Sequence, residues 1–501
     1  MARAERIPNP SRRTSMKSLI KGAALFVAVA CAVWIAVLWR WRATQREMDA
    51  GDIVLYLAIL PIVVFALALA ARWAVRGALE KQATQAVAVT GATPASGAAA
   101  PAVADKPALS WHLLGAWTHT AAGAGVDELL AAIEAGDPRP RPDAMLRDDE
   151  GLPVLTARIA ELDADAVDRA LQRSPATSAA DAGARPPVPA RAVRALASLA
   201  PLIDELARSL AAWALQWHTA DARPSEDGAR LVRVLAAWPA DWDDATCATA
   251  QAWLAAHLCD PLVDVLPLAR WTIRSQRMSG TELLSAAERT LDALQRQGRD
   301  DPVVLMACHS DLDAEGIRNL ERHQRLFHSA RRPKVAMAGE GAAVLALSAV
   351  DWPADAAIDA ERVRFDSPAI VRRAESIEAA GRTSSDDAVR LVNHGLASAG
   401  LAGATIAKLA TDADQHTARA TELFAVTLAL MPDLDANEDL RLAGTIAGRL
   451  EAVAPLLTLA MAAAQARESG RPAVALSLAD PHWRMAAVLR PASFKNEPQP
   501  A

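Results

Sequence analysis

The sequence predicts an α/β protein in which two N-terminal transmembrane helices are followed by a layered α/β/α domain. Two apolar segments, residues 22–39 and 53–71, contain no charged residue and are long enough to cross a membrane. Beyond residue 108, segments with helical periodicity alternate with short apolar runs bounded by turn residues. Such alternation is typical of layered α/β architecture.

The composition excludes several classes of function. The 501 residues carry a formal net charge of −6, so the chain lacks the basic excess that nucleic-acid binding requires. Cys31 lies inside the first apolar segment, and Cys247, Cys259 and Cys308 show no CxxC spacing. We therefore expect a reducing compartment, with no disulfide framework, no metal site and no cofactor.

Residues 1–82 are predicted to form the membrane anchor. Each apolar segment matches the length needed to cross about 30 Å of hydrocarbon, and Pro61 is compatible with a transmembrane helix. A cleaved signal peptide is the alternative for the first segment, but its length and the second segment that follows favour a membrane span. Basic residues precede the first span and follow the second, which predicts a membrane protein with its soluble domain in the cytoplasm.

The remainder divides into a linker, a domain and a tail. Residues 83–107 are mostly small and uncharged and are interrupted by Pro and Gly, which is typical of a flexible linker. The folded domain is predicted over 108–490 and a disordered tail over 491–501. Residues 174–192, SPATSAADAGARPPVPARA, predict an exposed loop within the domain.

Within the domain, two segments predict helices and three predict buried strands. Residues 126–136 have helical spacing and end in Gly, and residues 191–218 predict one long helix or two separated at Pro201. The strand-like runs are PVVLMACHS at 302–310, AAVLALSAV at 342–350 and AVALSLAD at 473–480.

Common catalytic signatures are absent from the sequence: it contains no GxSxG elbow, P-loop, HExxH or GxGxxG after a strand. GLASAG at 395–400 is interpreted as a helix-end loop. His309, His323 and His328 lie around an arginine-rich segment, LERHQRLFHSARR, and are interpreted as part of a solvated helical face, because they lack the spacing of metal ligands.

The most informative segment is RRPKVAMAGEGAAVLAL at 331–347. Gly339, Glu340 and Gly341 predict a tight approach to a strand, and the small Ala342 and Ala343 allow another backbone to pack closely. In its surroundings this segment resembles the ketosynthase branch of the thiolase-like superfamily, in which a basic-Pro segment leads through GEGAA into a central apolar strand.

Four further segments follow in the order that this resemblance implies. Residues 118–142 resemble an early small-residue turn, helix and basic turn, and residues 302–329 resemble the strand, loop and helix before GEGAA. Residues 409–426 resemble a later strand and acidic loop. Residues 442–464 resemble the glycine-led helix near the active site. The resemblance therefore implies a thiolase-like domain over most of 109–490.

The positions that carry ketosynthase chemistry differ in this sequence. The family uses a nucleophilic Cys at a helix N-terminus and two His residues that polarise the thioester carbonyl. The resemblance places Thr445 at one His position, and the other His motif has become TDADQH, with His416 displaced. Cys247, with His394 or His416 as partner, is the one alternative nucleophile. We therefore expect a domain without catalytic activity.

A degenerate ketosynthase-like domain on a two-helix anchor resembles the type VI secretion lipase adaptor family. That resemblance implies a non-catalytic protein that binds a phospholipase effector and helps load it onto the spike protein. The alternatives are a membrane-tethered acyl-transferring or condensing enzyme that uses Cys247, and a membrane scaffold without cargo. The resemblance also implies a homodimer formed through a central strand. The predicted membrane anchor leaves the oligomeric state open.

Overall fold

The computed structural model describes residues 109–136, 140–173, 187–220, 230–329, 332, 335–350, 362–379 and 384–494. The predicted spans at 22–39 and 53–71, the linker at 83–107, residues 174–186 of the predicted loop and residues 495–501 of the tail lie outside these ranges. Within the ranges, no helix has both the length and the apolar character needed to cross a bilayer.

The described residues form fourteen strands in one connected sheet system. The strands are β1 (Ser110–Thr120), β2 (Gly123–Ala124), β3 (Arg141–Arg147), β4 (Pro153–Ala157), β5 (Val232–Trp238), β6 (Trp271–Arg277), β7 (Val303–Ser310), β8 (Ala338–Ser348), β9 (Val363–Asp366), β10 (Ala369–Arg372), β11 (Lys408–Thr411), β12 (Leu440–Leu442), β13 (Ala473–Ser477) and β14 (Trp483–Pro491). The helices are α1 (Val126–Ala135), α2 (Ala164–Arg173), α3 (Ala190–Ala220), α4 (Asp244–Cys259), α5 (Gly280–Arg296), α6 (Ala314–Arg322), α7 (Asp386–Ser398), α8 (Thr417–Leu430), α9 (Gly444–Ala447) and α10 (Val453–Ser469).

The sheet contains the same arrangement twice. The strand order is β12-β11-β13-β14-β9-β1-β8-β7-β5-β6. In the first half, β6, β5 and β7 pair in parallel, and β7, β8 and β1 pair antiparallel. In the second half, β12, β11 and β13 pair in parallel, and β13, β14 and β9 pair antiparallel. The domain is therefore built from two topologically equivalent halves.

Helices cover the sheet in three layers. One core packs α3 and α4 against the first half, and another packs α7 and α8 against the second half. The central core contains α5, α10 and buried residues of both halves. Helix α10 is buried along most of its length, because it contacts strands from each half. The centre of the domain is thus the place where the two equivalent helices α5 and α10 meet.

The long helix is continuous across Pro201, so the predicted alternative of two helices is not observed. Helix α3 runs from Ala190 to Ala220 with Pro201 inside it. A proline in a helix interior costs about 3 kcal/mol. Here Leu199, Leu202 and Ile203 are almost fully buried on either side, and the free energy of burying such side chains, about 1.5–3 kcal/mol each, offsets that cost.

The predicted strands at 302–310 and 473–480 are observed as β7 and β13. The strand predicted at 342–350 begins earlier, because GEGAA is itself part of β8. The interpretation of the three histidines as a solvated helical face is wrong: α6 ends at Arg322, and His309 is buried at the end of β7. The glycine-led segment at 442–464 forms two helices, α9 and α10, instead of one.

Candidate functional site

A cavity of about 810 Å³ lies between the two halves, beside the N-termini of α5 and α10. The two helix ends touch: a Cβ atom on Gly280 would lie 2.6 Å from the carbonyl oxygen of Ala452 and 2.8 Å from the Pro455 ring. Only glycine allows this approach without displacing the partner backbone. The wall of the cavity therefore combines residues from both repeats of the fold.

The N-terminus of α5 presents a serine to this cavity. Ser279 is the N-cap residue, and its Oγ accepts a hydrogen bond from the Glu282 backbone N–H at 3.3 Å. Glu282 Oε2 in turn accepts from the Ser279 backbone N–H at 2.7 Å and from its hydroxyl at 2.9 Å. This reciprocal capping box stabilises the first turn of α5. A hydroxyl, already engaged by Glu282, stands at the helix end that opens onto the cavity.

The sequence interpretation did not identify Ser279, although its S-x-x-E spacing before an apolar run is a recognisable helix start. The strand before it, β6, was missed because Arg274, Gln276 and Arg277 are exposed and interrupt any apolar run. Because no strand was predicted at 271–277, the start of the helix that follows it was not predicted either.

An ionic cluster of four residues adjoins the cavity, and three of them, His309, Arg449 and Glu451, line it. His309 and Asp311 come from the end of β7, and Arg449 and Glu451 come from the segment between α9 and α10. Arg449 Nε donates to Asp311 Oδ2 at 3.1 Å, and its Nη1 donates to Glu451 Oε1 at 2.7 Å. The cluster therefore joins the two halves through ion pairs in which Asp311 is buried and Glu451 is exposed.

Electrostatics in this cluster favour the charged forms. Burial opposes the imidazolium of His309, but the carboxylates of Asp311 and Glu451, at 3.3 and 3.7 Å, outweigh burial and raise its pKa. Burial likewise opposes ionisation of Asp311, yet Arg449 and His309 hold its pKa well below the ordinary range.

Backbone strain also concentrates at the cavity. Among the described residues other than glycine, Gln324 and Glu451 have positive φ, at 55° and 41°. Both line the cavity. Such conformations cost of order 1–3 kcal/mol and cluster at functional sites. The strain supports the assignment of this cavity as the candidate site.

The two acidic residues of the TDADQH segment, Asp412 and Asp414, make structural contacts. Asp412 is buried, accepts from the Leu478 and Ala479 backbone N–H groups at 2.6 and 3.0 Å, and also binds the Ser477 hydroxyl. Burial raises the pKa of Asp412 despite these bonds. Asp414 pairs with Arg419 at 2.6 Å. The two carboxylates therefore hold the loop together.

The two other predicted positions have local roles as well. His416 lines the cavity, and its Nδ1 accepts from the Ala418 backbone N–H at 3.2 Å as the N-cap of α8. Thr445 lies in α9, and its hydroxyl donates to the Leu442 carbonyl at 2.9 Å. Both side chains thus contribute to helix termini.

Cys247, His394 and His416 are not brought together. Cys247 lies in the first turn of α4, on the outer layer of the first half, and His394 lies on α7, on the outer layer of the second half. Of the three, only His416 lines the cavity.

Burial raises the pKa of the Cys247 thiol, that of Cys259 to about 11, and that of Cys308 further. The thiolate that acts as a nucleophile is therefore disfavoured at all three cysteines.

The GEGAA segment packs tightly within β8, where Ala342 and Ala343 are fully buried. A Cβ atom on Gly339 would lie 2.5 Å from the Ala447 carbonyl oxygen, and one on Gly341 would lie 2.7 Å from the His119 carbonyl oxygen. Glu340 is buried and accepts from Arg194 Nε at 2.8 Å and Ser310 Oγ at 3.1 Å. The segment therefore positions neighbouring elements by close contact.

One set of side chains in the described ranges has the types and spacing to hold a metal ion. It consists of Asp148, Glu150 and His328, whose ligand atoms lie within 4.8 Å of one another. The chemistry suits a divalent cation such as Zn²⁺ or Mn²⁺. None of the three residues lines the cavity.

Comparisons with known proteins bear on the fold. No family model matches the chain, and no curated protein sequence matches it. Among solved structures, the ketosynthase from module 6 of the bacillaene synthase from Bacillus subtilis 168 superposes with a TM-score of 0.52 at 11% identity, covering 77% of this chain and 72% of that chain. The ishigamide ketosynthase/chain length factor is 16% identical, with a TM-score of 0.48 and coverage of 76% and 99%. The described domain has a thiolase-like fold.

Proposed function

We propose that this protein is a non-catalytic, membrane-anchored adaptor that binds a type VI secretion phospholipase effector and helps load it onto the spike protein. The thiolase-like domain supplies the binding surface, and the predicted anchor keeps it at the bacterial inner membrane. The choice of effector and spike as partners rests on the family resemblance of the sequence.

The absence of activity is supported by the N-terminus of α5. This helix end opens onto the cavity between the two halves. It carries Ser279, whose hydroxyl is engaged by Glu282. The cysteines of the described region all have raised pKa values, and Cys247 heads a different helix. Of the cysteines in the described ranges, Cys308 alone lines the cavity, and burial raises its pKa, which disfavours the thiolate there.

The first test is acylation. The full-length protein would be incubated with an acyl-thioester donor and analysed by intact mass and peptide mapping. We expect no covalent acyl group on Ser279 or on any cysteine. Cys247→Ala and Ser279→Ala variants serve as matched controls, since an adduct lost in one of them assigns the acylated residue and overturns the non-catalytic proposal.

One observation favours a second candidate, an acyl transferase that uses Ser279. Its hydroxyl faces the cavity and donates to Glu282 Oε2, as a nucleophile would to a general base. In that reaction Glu282 takes the hydroxyl proton as the Ser279 oxygen bonds to the acyl carbon and the C–S bond breaks, and the departing thiolate then takes that proton from Glu282 and leaves as the thiol. A Ser279 adduct that Glu282→Gln slows a hundredfold or more would establish this alternative.

The second test is partner binding. The tagged full-length protein would be purified from the parent bacterium and its co-purifying proteins identified by mass spectrometry. We expect a phospholipase effector, retained equally well by the Cys247→Ala, Ser279→Ala double variant. Absence of any lipase-type effector in the wild-type purification would remove the adaptor proposal.

A further inference from the structure

Helix α8 has its charged residues inside and its apolar residues outside. Arg419 and Glu422, the two charged residues of the helix, are 4% and 0% exposed. Arg419 donates to Asp414 at 2.6 Å and to the Ala479 carbonyl at 2.7 Å. Glu422 accepts from Arg484 at 2.8 Å. These ion pairs fasten α8 to the domain and leave its outer surface without charge.

The outer surface of α8 exposes large apolar side chains. Phe424 is 53% exposed and Leu428, one turn further on, is 78% exposed. Thr421 and Ala429 are exposed beside them. We call these four residues the α8 face. A surface helix normally turns charged and polar residues toward water, and a charge-free apolar patch is characteristic of an interaction site.

An acidic loop follows directly after the α8 face. Residues 432–439 connect α8 to β12, and Asp433, Asp435 and Glu438 are exposed in this loop. The neighbouring Asp439 is neutralised by Lys408, at 2.9 Å. The three exposed carboxylates therefore give the C-terminal end of the α8 face a negative field.

This combination of apolar surface and negative charge discriminates between occupants. A symmetric contact between two copies would bring two acidic loops to one interface, which is unfavourable for like charges. The anionic lipids of a cytoplasmic leaflet would be repelled for the same reason. A protein segment with apolar anchors flanked by Lys or Arg satisfies both the apolar face and the acidic loop.

We propose that the α8 face and the acidic loop form the docking surface for a protein partner that presents apolar side chains flanked by basic residues. The inference rests on the proposed function in one respect, that the partner is the phospholipase effector. Phe424 and Leu428 provide the buried centre of the contact, and the acidic loop provides its charged rim.

The test uses the full-length protein in the parent bacterium. A photoreactive amino acid replaces Phe424 or Leu428, and Leu268, which is 64% exposed on the first half of the fold, is the matched control. We expect positions 424 and 428, but not 268, to cross-link to a protein segment that contains both apolar and basic residues.

Substitution tests the apolar centre of the contact. Leu428→Ser should reduce the amount of co-purified effector tenfold or more, and Leu268→Ser should leave that amount unchanged.

Charge reversal tests the rim. The Asp433→Lys, Glu438→Lys double variant should weaken effector co-purification and reduce its sensitivity to salt. Cross-links from 424 and 428 that reach only lipid, only a second copy of the chain or nothing would overturn the docking surface. A cross-link to a basic-flanked segment of a protein other than a lipase would support the surface and contradict the effector assignment, so the two proposals fail separately.

Discussion

Glycines in β8 allow neighbouring backbone to pack closely against this strand. Gly341 has no positive φ, so its requirement for glycine comes from the His119 carbonyl oxygen, 2.7 Å from the position of a Cβ atom. The first expectation is that Gly341→Val destabilises the full-length protein by about 3 kcal/mol through overpacking in β8. Thermal unfolding of the purified protein measures this loss.

Gly395 is the matched control for that substitution. It lies in α7, where a Cβ atom would meet only Val488, at an ordinary 3.4 Å. Gly395→Ala should leave stability unchanged or raise it by up to about 1 kcal/mol, since alanine favours the helix. An unaltered melting temperature for Gly341→Val would contradict the close packing of GEGAA.

The buried His309 makes stability depend on pH. Because Asp311 and Glu451 raise its pKa above the ordinary 6.5, the folded protein binds the proton more tightly than the unfolded chain does. The second expectation is that this contribution is full below pH 6.5 and is lost as the pH rises through the raised pKa. It is measured as the difference in unfolding free energy between wild type and His309→Gln at several pH values. A difference that stays constant with pH would show that His309 does not titrate as described.

At the scale of helices and strands, the capping box of α5 gives the third expectation. Ser279→Ala removes the side-chain acceptor for the Glu282 N–H and should cost about 1 kcal/mol. Ser279→Asp, which can still accept that bond, should restore most of the loss. Ser385, at the N-cap of α7, makes no side-chain capping bond, so Ser385→Ala is the neutral control. Equal effects of the two alanine substitutions in thermal unfolding would exclude a capping role for Ser279.

The strands that were predicted correctly from the sequence are uninterrupted runs of apolar residues. β7 and β8 are buried at every position, so their runs of Val, Leu and Ala were recognisable. The edge strand β6 was not recognised, because polar residues interrupt it. Cys247 was the candidate nucleophile because it is the thiol that lies in the first turn of a helix. Ser279 lies at the N-terminus of α5, which only the fold brings next to the N-terminus of its equivalent helix α10.

At the scale of the whole molecule, the duplication could not be read from the sequence. Helices α5 and α10 are topologically equivalent, yet α5 has an exposed side and α10 is buried on nearly all sides. Their residue patterns therefore differ: α5 is amphipathic, and α10 is almost uniformly apolar. Equivalent positions in the two halves have different surroundings, so their residue types differ and the sequence shows no internal repeat. The repeat is visible only in the pairing of the strands.

Membrane orientation is the fourth expectation and concerns the predicted anchor. Arg3, Arg6, Arg12, Arg13 and Lys17 precede the span at 22–39, and Arg72, Arg76 and Lys81 follow the span at 53–71. Loops rich in Lys and Arg remain cytoplasmic. The connecting loop at 40–52 is also basic, but Glu47, Asp49 and Asp52 partly offset its arginines. Both chain ends are therefore expected on the cytoplasmic side.

Reporter fusions measure this orientation. A reporter that is active only in the cytoplasm should be active when fused after Ala501, and one that requires export should be silent there. The same pair inserted after Arg46, in the loop between the spans, is the control and should give the opposite result. Because the short hairpin is held by a modest charge difference, replacing Arg12, Arg13 and Lys17 by Gln should raise the inverted fraction. Export-dependent activity after Ala501 would place the thiolase-like domain outside the cytoplasm, away from an effector that is loaded before secretion.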